Sequence, residues 1–268
     1  MSKFNQKDRL DNFIYYCFNI LSDIMFFFLF KTKTLIGKNR IYKDIHKGER
    51  CFILATGPSL NTLSTSNISN LKGEVLFGVN SLYKSDIMNE LTPSYYSLFD
   101  NLYWGEESKV FKEIKNKYGN SVPTFITDYR AKTIIEELGV EKQPIYTYSK
   151  KFPVNIMHSD VDKNMYISMN VVAGTILAAI YMGFKEIYLL GCDYNSFLTL
   201  KAGHCYNDED EQRFYTENLG FYLKFYHLTT KFHYLIAKHA KQKKIKVINI
   251  TNGSLLDAYP LKDPNIVI

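Results

Sequence analysis

The sequence has little of what marks several common protein classes. It contains four cysteines, Cys17, Cys51, Cys192 and Cys205, and none of their spacings matches a metal knuckle or a small disulfide framework. This cysteine usage indicates a reducing compartment. The net charge of +6 over 268 residues is too small for a dedicated nucleic-acid binder. Internal repeats and low-complexity tracts are also missing, which excludes solenoid and fibrous architectures.

The glycines are few and form no standard nucleotide-binding fingerprint. The turn over residues 56–59 lacks the Lys-Ser/Thr pair of a P-loop and the further glycines of a dinucleotide-binding motif. Hydrophobic residues are plentiful at 46%, which is enough for a sizeable core. Aromatic residues reach 15%, with 21 Tyr and 19 Phe against one Trp. This composition suits a packed core together with a cleft that stacks rings.

The longest apolar run covers residues 13–30, followed by a basic stretch over residues 31–50. As a helix the run would extend roughly 27 Å, just short of a bilayer core. Asp23 interrupts its middle, where a charge costs about 2.5–3.5 kcal/mol on an insertion scale. No signal-peptide cleavage site follows. We therefore predict a cytoplasmic protein that is peripheral at the inner face of the cytoplasmic membrane, with residues 31–50 touching anionic lipid. A helix packed on the protein or a partner, and a true span, remain alternatives.

From residue 49 onward the pattern is that of an α/β domain. Short apolar runs alternate with helical segments, which predicts a mostly parallel, Rossmann-like sheet with helices on both faces. We predict that residues 1–48 form a hydrophobic and basic membrane-associating segment and that residues 49–268 form the catalytic domain. The polar segment 149–168 is a candidate lid. Residues 170–182 are apolar nearly all round, which predicts a buried helix.

Polar residues follow several predicted strands, at 51–55, 74–79, 94–99 and 186–190. Ligands of open parallel sheets bind beyond the carboxyl ends of the strands, so these residues should meet at one edge. Gly57 permits close approach of a ligand, and the helix start expected after it would offer N–H groups to an anion. A tight turn without a ligand is the alternative. Asp193 is a candidate for a sugar or ribose hydroxyl, or else only pins a neighbouring loop. The residues predicted to bind this ligand, a phosphate-bearing donor, are Thr56, Gly57, Pro58, Ser59, Asn80, Asp100, Asn170, Asp193, Tyr194, Asn195, Asn252 and Ser254.

His204 is the candidate general base, because it lies between Gly203 and Cys205 in a loop after the strand 186–190. An imidazole can take a proton from a sugar hydroxyl near neutral pH. A merely exposed histidine is the alternative. The run Asp208–Asp210 matches the Asp-x-Asp pattern that holds a metal and a diphosphate in many glycosyltransferases. Acidic residues ahead of a helix also favour its dipole, and we prefer that interpretation, so no metal or other cofactor is predicted.

Five stretches together resemble the bacterial sialyltransferases that decorate lipooligosaccharide and capsule. They are GPSL at 57–60, VNSLY at 79–83, GFKEIYLLGCD at 183–193, the pair Gly203-His204, and NGSLL at 252–256. Their order and rough spacing agree with that family over about residues 50–260, and the stretch at 183–193 is the most specific.

The resemblance implies a variant of the glycosyltransferase-A fold and an inverting, metal-independent sialyl transfer in surface polysaccharide or lipopolysaccharide biosynthesis. The partners would be a nucleotide-sugar donor, cytidine-linked in that family, and a glycan or glycolipid acceptor. His204 would be the base, and Asn80 and Asp100 would touch the donor. Asn195 stands where the family has a tyrosine that stabilises the leaving phosphate, and Ser168 or a neighbour stands where it has an arginine. Tyr194, Lys201 and Tyr206 are candidate substitutes for the tyrosines.

The same elements also occur in a broader related group. It includes flagellin-modifying glycosyltransferase-like proteins and archaeal-type 6-hydroxymethylpterin pyrophosphokinases. Under the second reading the chain would transfer diphosphate from ATP with a divalent metal, held by Asp193 and the acidic run. A non-catalytic nucleotide-sugar-binding module is a third alternative. A homo-oligomer is compatible with each of them.

Overall fold

The computed structural model describes residues 3–155, 157–167, 169–195, 203–207 and 218–268. Within these residues the strands are β1 Arg50–Leu54, β2 Val75–Val79, β3 Tyr95–Leu98, β4 Thr124–Asp128, β5 Ile145–Lys151, β6 Asn164–Tyr166, β7 Glu186–Leu190 and β8 Lys246–Asn249. They form one parallel sheet in the order β6-β5-β4-β3-β2-β1-β7-β8.

The helices flank this sheet. They are α1 Lys3–Phe28, α2 Phe30–Gly37, α3 Thr65–Leu71, α4 Lys109–Tyr118, α5 Lys132–Leu138, α6 Val171–Tyr181, α7 Leu219–Gln242 and α8 Pro264–Val267. Side chains of α6 and α7 belong to the core on one face, and those of α3, α4 and α5 belong to the core on the other. The predicted Rossmann-like sheet with helices on both faces is confirmed.

The central strands are apolar throughout because both of their faces are covered. In β1, Cys51 and Ile53 point to the side of α6, whereas Phe52 and Leu54 point to the opposite side. A strand buried on both faces reads as a continuous hydrophobic run rather than an alternation. Helix α6 is buried nearly all round, as its composition predicts.

The chain order reverses between β1 and β7. From β1 the chain moves outward through β2 to β6, then returns by α6 to the other side of β1 and continues to β8. The helices that follow β1 and β7, α3 and α7, therefore lie on opposite faces of the sheet. Open α/β sheets bind ligands at such a switch point.

The segment 149–168, predicted as a candidate lid, contributes to the sheet in its described residues. Residues 149–151 complete β5, and β6 forms the edge of the sheet beside them. Val161 and Met165 are buried in the core. Ile156 and Ser168 lie outside the described residues.

Candidate functional site

A cleft of about 740 Å³ opens above the carboxyl ends of β1, β2, β3 and β7, at the switch point of the sheet. Its volume lies within the range of roughly 300–1,000 Å³ typical of small-molecule sites. Nine of the predicted site residues line it: Thr56, Gly57, Pro58, Asn80, Asp100, Asn170, Asp193, Tyr194 and His204. The topology thus brings together segments that are far apart in the chain.

The turn after β1 is interlocked with the loop after β7. The backbone N–H of Gly57 donates to the carbonyl of Gly191 at 2.8 Å. The backbone N–H and the hydroxyl of Ser59 donate to the carboxylate of Asp193 at 3.2 and 2.7 Å. A Cβ atom on Gly57 would lie 1.8 Å from Oδ2 of Asp193 and 2.4 Å from the carbonyl oxygen of Gly191. The φ of Gly57 is −68°, which suits any residue, so backbone conformation does not require glycine here. Glycine is required because the two loops approach so closely.

The interlock bears on the helix start that was expected after Gly57. The chain there forms a short 3-10 turn, Pro58–Thr62, in which the hydroxyl of Ser59 donates to the carboxylate of Asp193. Burial raises the pKa of Asp193, although the two bonds from Ser59 oppose that shift. Asp193 thus pins a neighbouring loop while one side of it lines the cleft.

Asn80 ends β2 in a left-handed conformation, with φ of 48°. The hydroxyl of Tyr96 donates to its backbone carbonyl at 2.9 Å and fixes the backbone there. Its side-chain Oδ1 is buried and has no hydrogen-bond partner among the described residues. A buried acceptor without a partner is uncommon, and in a cleft-lining residue it is suited to a donor group of a ligand.

Asn170 caps the helix α6. Its Oδ1 accepts the backbone N–H groups of Val172 and Ala173 at 2.9 and 3.3 Å. The start of a buried helix needs such an acceptor, because water cannot satisfy its first N–H groups. Asn170 therefore has a structural role as the cap of α6 beside its predicted role in donor binding.

Residues 203–207 bring His204 to the cleft. The backbone N–H of Cys205 donates to the carbonyl of Thr56 at 2.9 Å, and the hydroxyl of Ser85 donates to the carbonyl of Cys205 at 3.3 Å. Burial raises the pKa of the Cys205 thiol to about 11. The half-buried ring of His204 stacks on Tyr206, with centroids 5.0 Å apart and planes 6° apart. His204 is thus held next to the turn that follows β1.

The far wall of the cleft is aromatic, and of its rings only Tyr194 was among the predicted site residues. Tyr194 lies in the loop after β7 with φ of 57°, and its hydroxyl donates to Oγ1 of Thr229 in α7. Burial raises the pKa of Tyr194 to about 12. Further rings come from the segment before α4 and from the first turns of α7: Tyr103, Phe221, Tyr222, Phe225 and Tyr226. The four-residue spacing of Phe221 and Phe225 puts both rings on one face of α7, and spacing alone does not tell whether such a face meets a core or a cleft.

Four predicted residues are absent from the described lining of the cleft: Ser59, Asn195, Asn252 and Ser254. Ser254 is buried, and its hydroxyl donates to the carbonyl of Cys192 at 2.6 Å while accepting from Asn249 at 2.8 Å. It joins the loop after β8 to the end of β7. Asn252 is exposed on that loop.

In the part of the chain that the structure describes, no three His, Cys, Asp or Glu side chains lie close enough to hold a metal ion. The acidic run Asp208–Asp210 and Lys201 lie outside the described residues. Asp193, the other metal candidate of the diphosphate-transfer reading, has both carboxylate oxygens engaged by Ser59.

The model of the 6-hydroxymethylpterin diphosphokinase MptE-like family matches residues 28–196, more than half of the chain. The chain belongs to the MptE-like family. This membership confirms the resemblance to the broader group that carries the Gly-Pro-Ser-Leu and Leu-x-Gly-x-Asp elements. The matched segment includes the ends of β1, β2, β3 and β7 and stops before His204.

Solved structures add a likeness of fold. The MAf glycosyltransferase from Magnetospirillum magneticum AMB-1 has a TM-score of 0.54 at 14% identity, over 87% of this chain and 38% of its own. The chain thus spans well under half the length of that enzyme. The sialyltransferase CstII from Campylobacter jejuni, solved with cytidine-5'-monophosphate, has a TM-score of 0.48 at 14% identity, over 81% of this chain and 86% of its own. A search of curated proteins found no significant match.

A buried histidine beneath the aromatic wall makes stability depend on pH. His233 is fully buried, its Nδ1 lies 3.0 Å from the Tyr259 hydroxyl, and burial lowers its pKa to about 3. An unfolded histidine has a pKa near 6.5, so this contribution is complete above pH 6.5 and is lost as the pH falls toward 3. We expect wild type to lose about 2 kcal/mol of unfolding free energy through His233 between pH 7 and pH 5.

Urea denaturation of wild type and of His233→Gln at both pH values measures this contribution of His233. The difference in unfolding free energy between the two proteins should change by about 2 kcal/mol from pH 7 to pH 5. His227→Gln, at an exposed position of the same helix, should keep the wild-type pH dependence. Parallel pH profiles for wild type and His233→Gln would contradict the assignment.

Proposed function

We propose that the chain is an inverting, sialyltransferase-like glycosyltransferase. It transfers a sugar from a nucleotide-activated donor to a surface glycan acceptor in polysaccharide or lipopolysaccharide assembly. The observation that carries the proposal is the placement of His204 in one cleft with the turn at residues 56–58 and with Asn80. A general base, a backbone turn and a buried acceptor are thereby aligned along the carboxyl edge of the sheet.

In the proposed reaction His204 takes the proton of the acceptor hydroxyl. The acceptor oxygen then attacks the anomeric carbon of the donor from the face opposite the nucleotide. The bond between the anomeric carbon and the phosphate oxygen breaks, and the nucleotide leaves with the bonding electrons, which inverts the configuration. A base held at hydrogen-bond reach of its substrate contributes through both positioning and proton transfer.

The donor side is assigned to the strand ends. Asn80 offers its unpartnered Oδ1 to a hydroxyl or amino group of the donor. Lys84 and Lys109 belong to the lining of the cleft and supply positive charge for the phosphate that departs. The aromatic wall provides faces on which a base or a sugar can stack. The cytidine-linked donor rests on the sequence resemblance at 57–60, 79–83 and 183–193.

A thermal-shift screen over CMP, UDP, GDP and ATP tests the donor class. A nucleotide at 100 times its Kd stabilises the native state by about 2.7 kcal/mol. For a chain of this size that corresponds to a rise in Tm on the order of 5–10 °C. We expect CMP to give the largest rise, and Asn80→Ala to reduce it while leaving the Tm without nucleotide within a few degrees. A larger rise with ATP would contradict the proposed donor.

Family membership favours diphosphate transfer from ATP as the second candidate, since the family is described by that activity. That reaction would need a divalent metal, so excess chelator should stop it. The proposed glycosyl transfer should continue in chelator. Mass spectrometry of an acceptor incubated with activated sugars separates the proposed glycosyl transfer from a module that only binds: a mass increase of one sugar supports the proposal, and an unchanged acceptor opposes it.

A further inference from the structure

The N-terminal arm, here residues 3–42 with α1, α2 and the turn after them, is attached to the domain through its polar side chains. Asn19 exchanges two hydrogen bonds with the backbone of Phe152, at 2.9 and 2.7 Å. Asn164 donates to Ser22 and to Asp23, both at 2.9 Å. The residues that interrupt the apolar run therefore face the edge strand of the sheet.

Ring contacts and burial extend this attachment along the arm. Tyr15 stacks on Phe152 with centroids 4.6 Å apart, and Phe26 stacks on Tyr148 at 4.9 Å. Ile36 of α2 is fully buried in the core of the domain. One face of the arm is thus fixed to the sheet, so its opposite face points away from the domain.

That other face is apolar and exposed. Five large side chains on it are each more than half exposed: Phe13, Leu21, Phe27, Phe28 and Phe30, at 57–68%. Soluble monomers rarely expose a continuous apolar surface of this kind, and such surfaces mark an interaction site. The last three of these residues flank the break between α1 and α2, where the chain bends by 92°.

Basic residues follow the apolar run along the chain. Over residues 31–48 the exposed lysines are opposed by a single acidic residue, Asp44. The Nζ atom of Lys33 lies 4.9 Å from the centroid of the Phe27 ring, so charge and apolar surface meet at the bend. The exposed lysines are Lys31, Lys33, Lys38, Lys43 and Lys47.

We propose that the arm docks the protein on an anionic bilayer from one side. The exposed rings of α1 and of the bend enter one leaflet, and the lysines lie among its acidic headgroups. Charge selects the bilayer over a second copy of the chain, because a two-fold interface would bring like-charged lysines together whereas anionic lipid neutralises them. This inference goes beyond the proposed reaction and does not depend on it.

A membrane-crossing arm would need to leave the domain. Among the described residues no single helix is long and apolar enough to cross a bilayer, and only the bent pair Asn5–Phe28 with Phe30–Tyr42 passes on length and composition. The hydrogen bonds of Asn19 and Asp23 hold α1 beside the sheet edge. Insertion across the bilayer would break them or draw the domain into the lipid.

Co-sedimentation of the full chain with vesicles tests the proposal. We expect binding to vesicles of phosphatidylcholine and phosphatidylglycerol in equal parts, and at least tenfold weaker binding to phosphatidylcholine alone. Phe27→Ser with Phe28→Ser and Phe30→Ser should lower partitioning to the mixed vesicles by about 100-fold or more. Lys31→Glu with Lys33→Glu should lower it by roughly 30-fold or more, at about fivefold for each lysine lost.

Two control variants carry the same chemical changes elsewhere. Ile266→Ser, at a side chain that is 79% exposed, and the pair Lys112→Glu with Lys262→Glu should bind as wild type does. Equal binding by the arm variants and wild type would overturn the proposal. The proposal would also be overturned if wild type sedimented as a dimer and the phenylalanine variant as a monomer. A third contradicting result would be protein that alkaline carbonate does not extract from the vesicles. The lysine variant keeps the test valid if the phenylalanine variant does not fold.

Discussion

His204→Ala is expected to slow glycosyl transfer by about 100- to 10,000-fold, the range that a positioned general base contributes. The half-buried imidazole stacks on Tyr206, and its loop is fixed through Cys205, so the substitution removes a proton acceptor from a defined place. Nucleotide binding should persist, since His204 acts on the acceptor in the proposed reaction. The rate comes from product formation by mass spectrometry, and the binding from the nucleotide-dependent rise in Tm.

His227→Ala serves as the matched control because His227 is exposed on α7 and outside the described lining of the cleft. It should transfer sugar within about twofold of wild type. If His204→Ala transferred sugar at the wild-type rate, His204 would be excluded as the general base. Loss of both transfer and the nucleotide-dependent rise would instead indicate that the substitution disturbs the loop and the turn together.

Gly57→Ala is expected to lower the free energy of unfolding by at least about 3 kcal/mol, at the upper end of the cost of overpacking. The added Cβ would lie 2.4 Å from the backbone carbonyl oxygen of Gly191, which belongs to a strand end and cannot move away cheaply. It would also lie 1.8 Å from Oδ2 of Asp193, so the hydrogen bonds to Ser59 would be disturbed. Urea denaturation at pH 7 measures the loss.

Gly73→Ala provides the control, since no heavy atom lies within 4 Å of the Cβ that would be added there. It should stay within about 0.5 kcal/mol of wild type, as surface substitutions usually do. If Gly57→Ala were as stable as Gly73→Ala, the loops after β1 and β7 would not approach as closely as the structure has them.

Much of the sheet could be predicted because its central strands are covered on both faces. The apolar run at 186–190 coincides with β7, and the run at 51–55 agrees with β1 to within one residue at each end. Strand β6 escaped prediction because it has three residues, Asn164–Tyr166, at the edge of the sheet. So short an edge strand has no pattern of its own, and its pairing with β5 is decided by tertiary contacts.

The site could be predicted where topology decides it. Residues that end parallel strands meet at one edge, and this brought Thr56, Asn80 and Asp193 into one cleft. Hydrogen bonds between loops could not be read from the sequence. The hydroxyls of Ser59 and Ser254 are used by a carboxylate and a carbonyl of the loop after β7. A polar residue near a strand end is equally suited to a ligand or to a neighbouring loop.

The N-terminal run shows the same limit of composition. Asn19 and Asp23 lower the hydropathy of the run, and a hydropathy scale treats them only as an unfavourable contribution to membrane insertion. In the structure they bond to the domain, and the opposite face of α1 is apolar from Phe13 to Phe28. The direction in which a polar side chain points on a helix is set by its partner, and that partner lies more than a hundred residues away in the chain.

The hydrogen bond from Cys205 to Thr56 makes the loop and the turn a single mechanical unit. In the proposed reaction, a displacement of that turn by a bound donor would also displace the backbone beside His204.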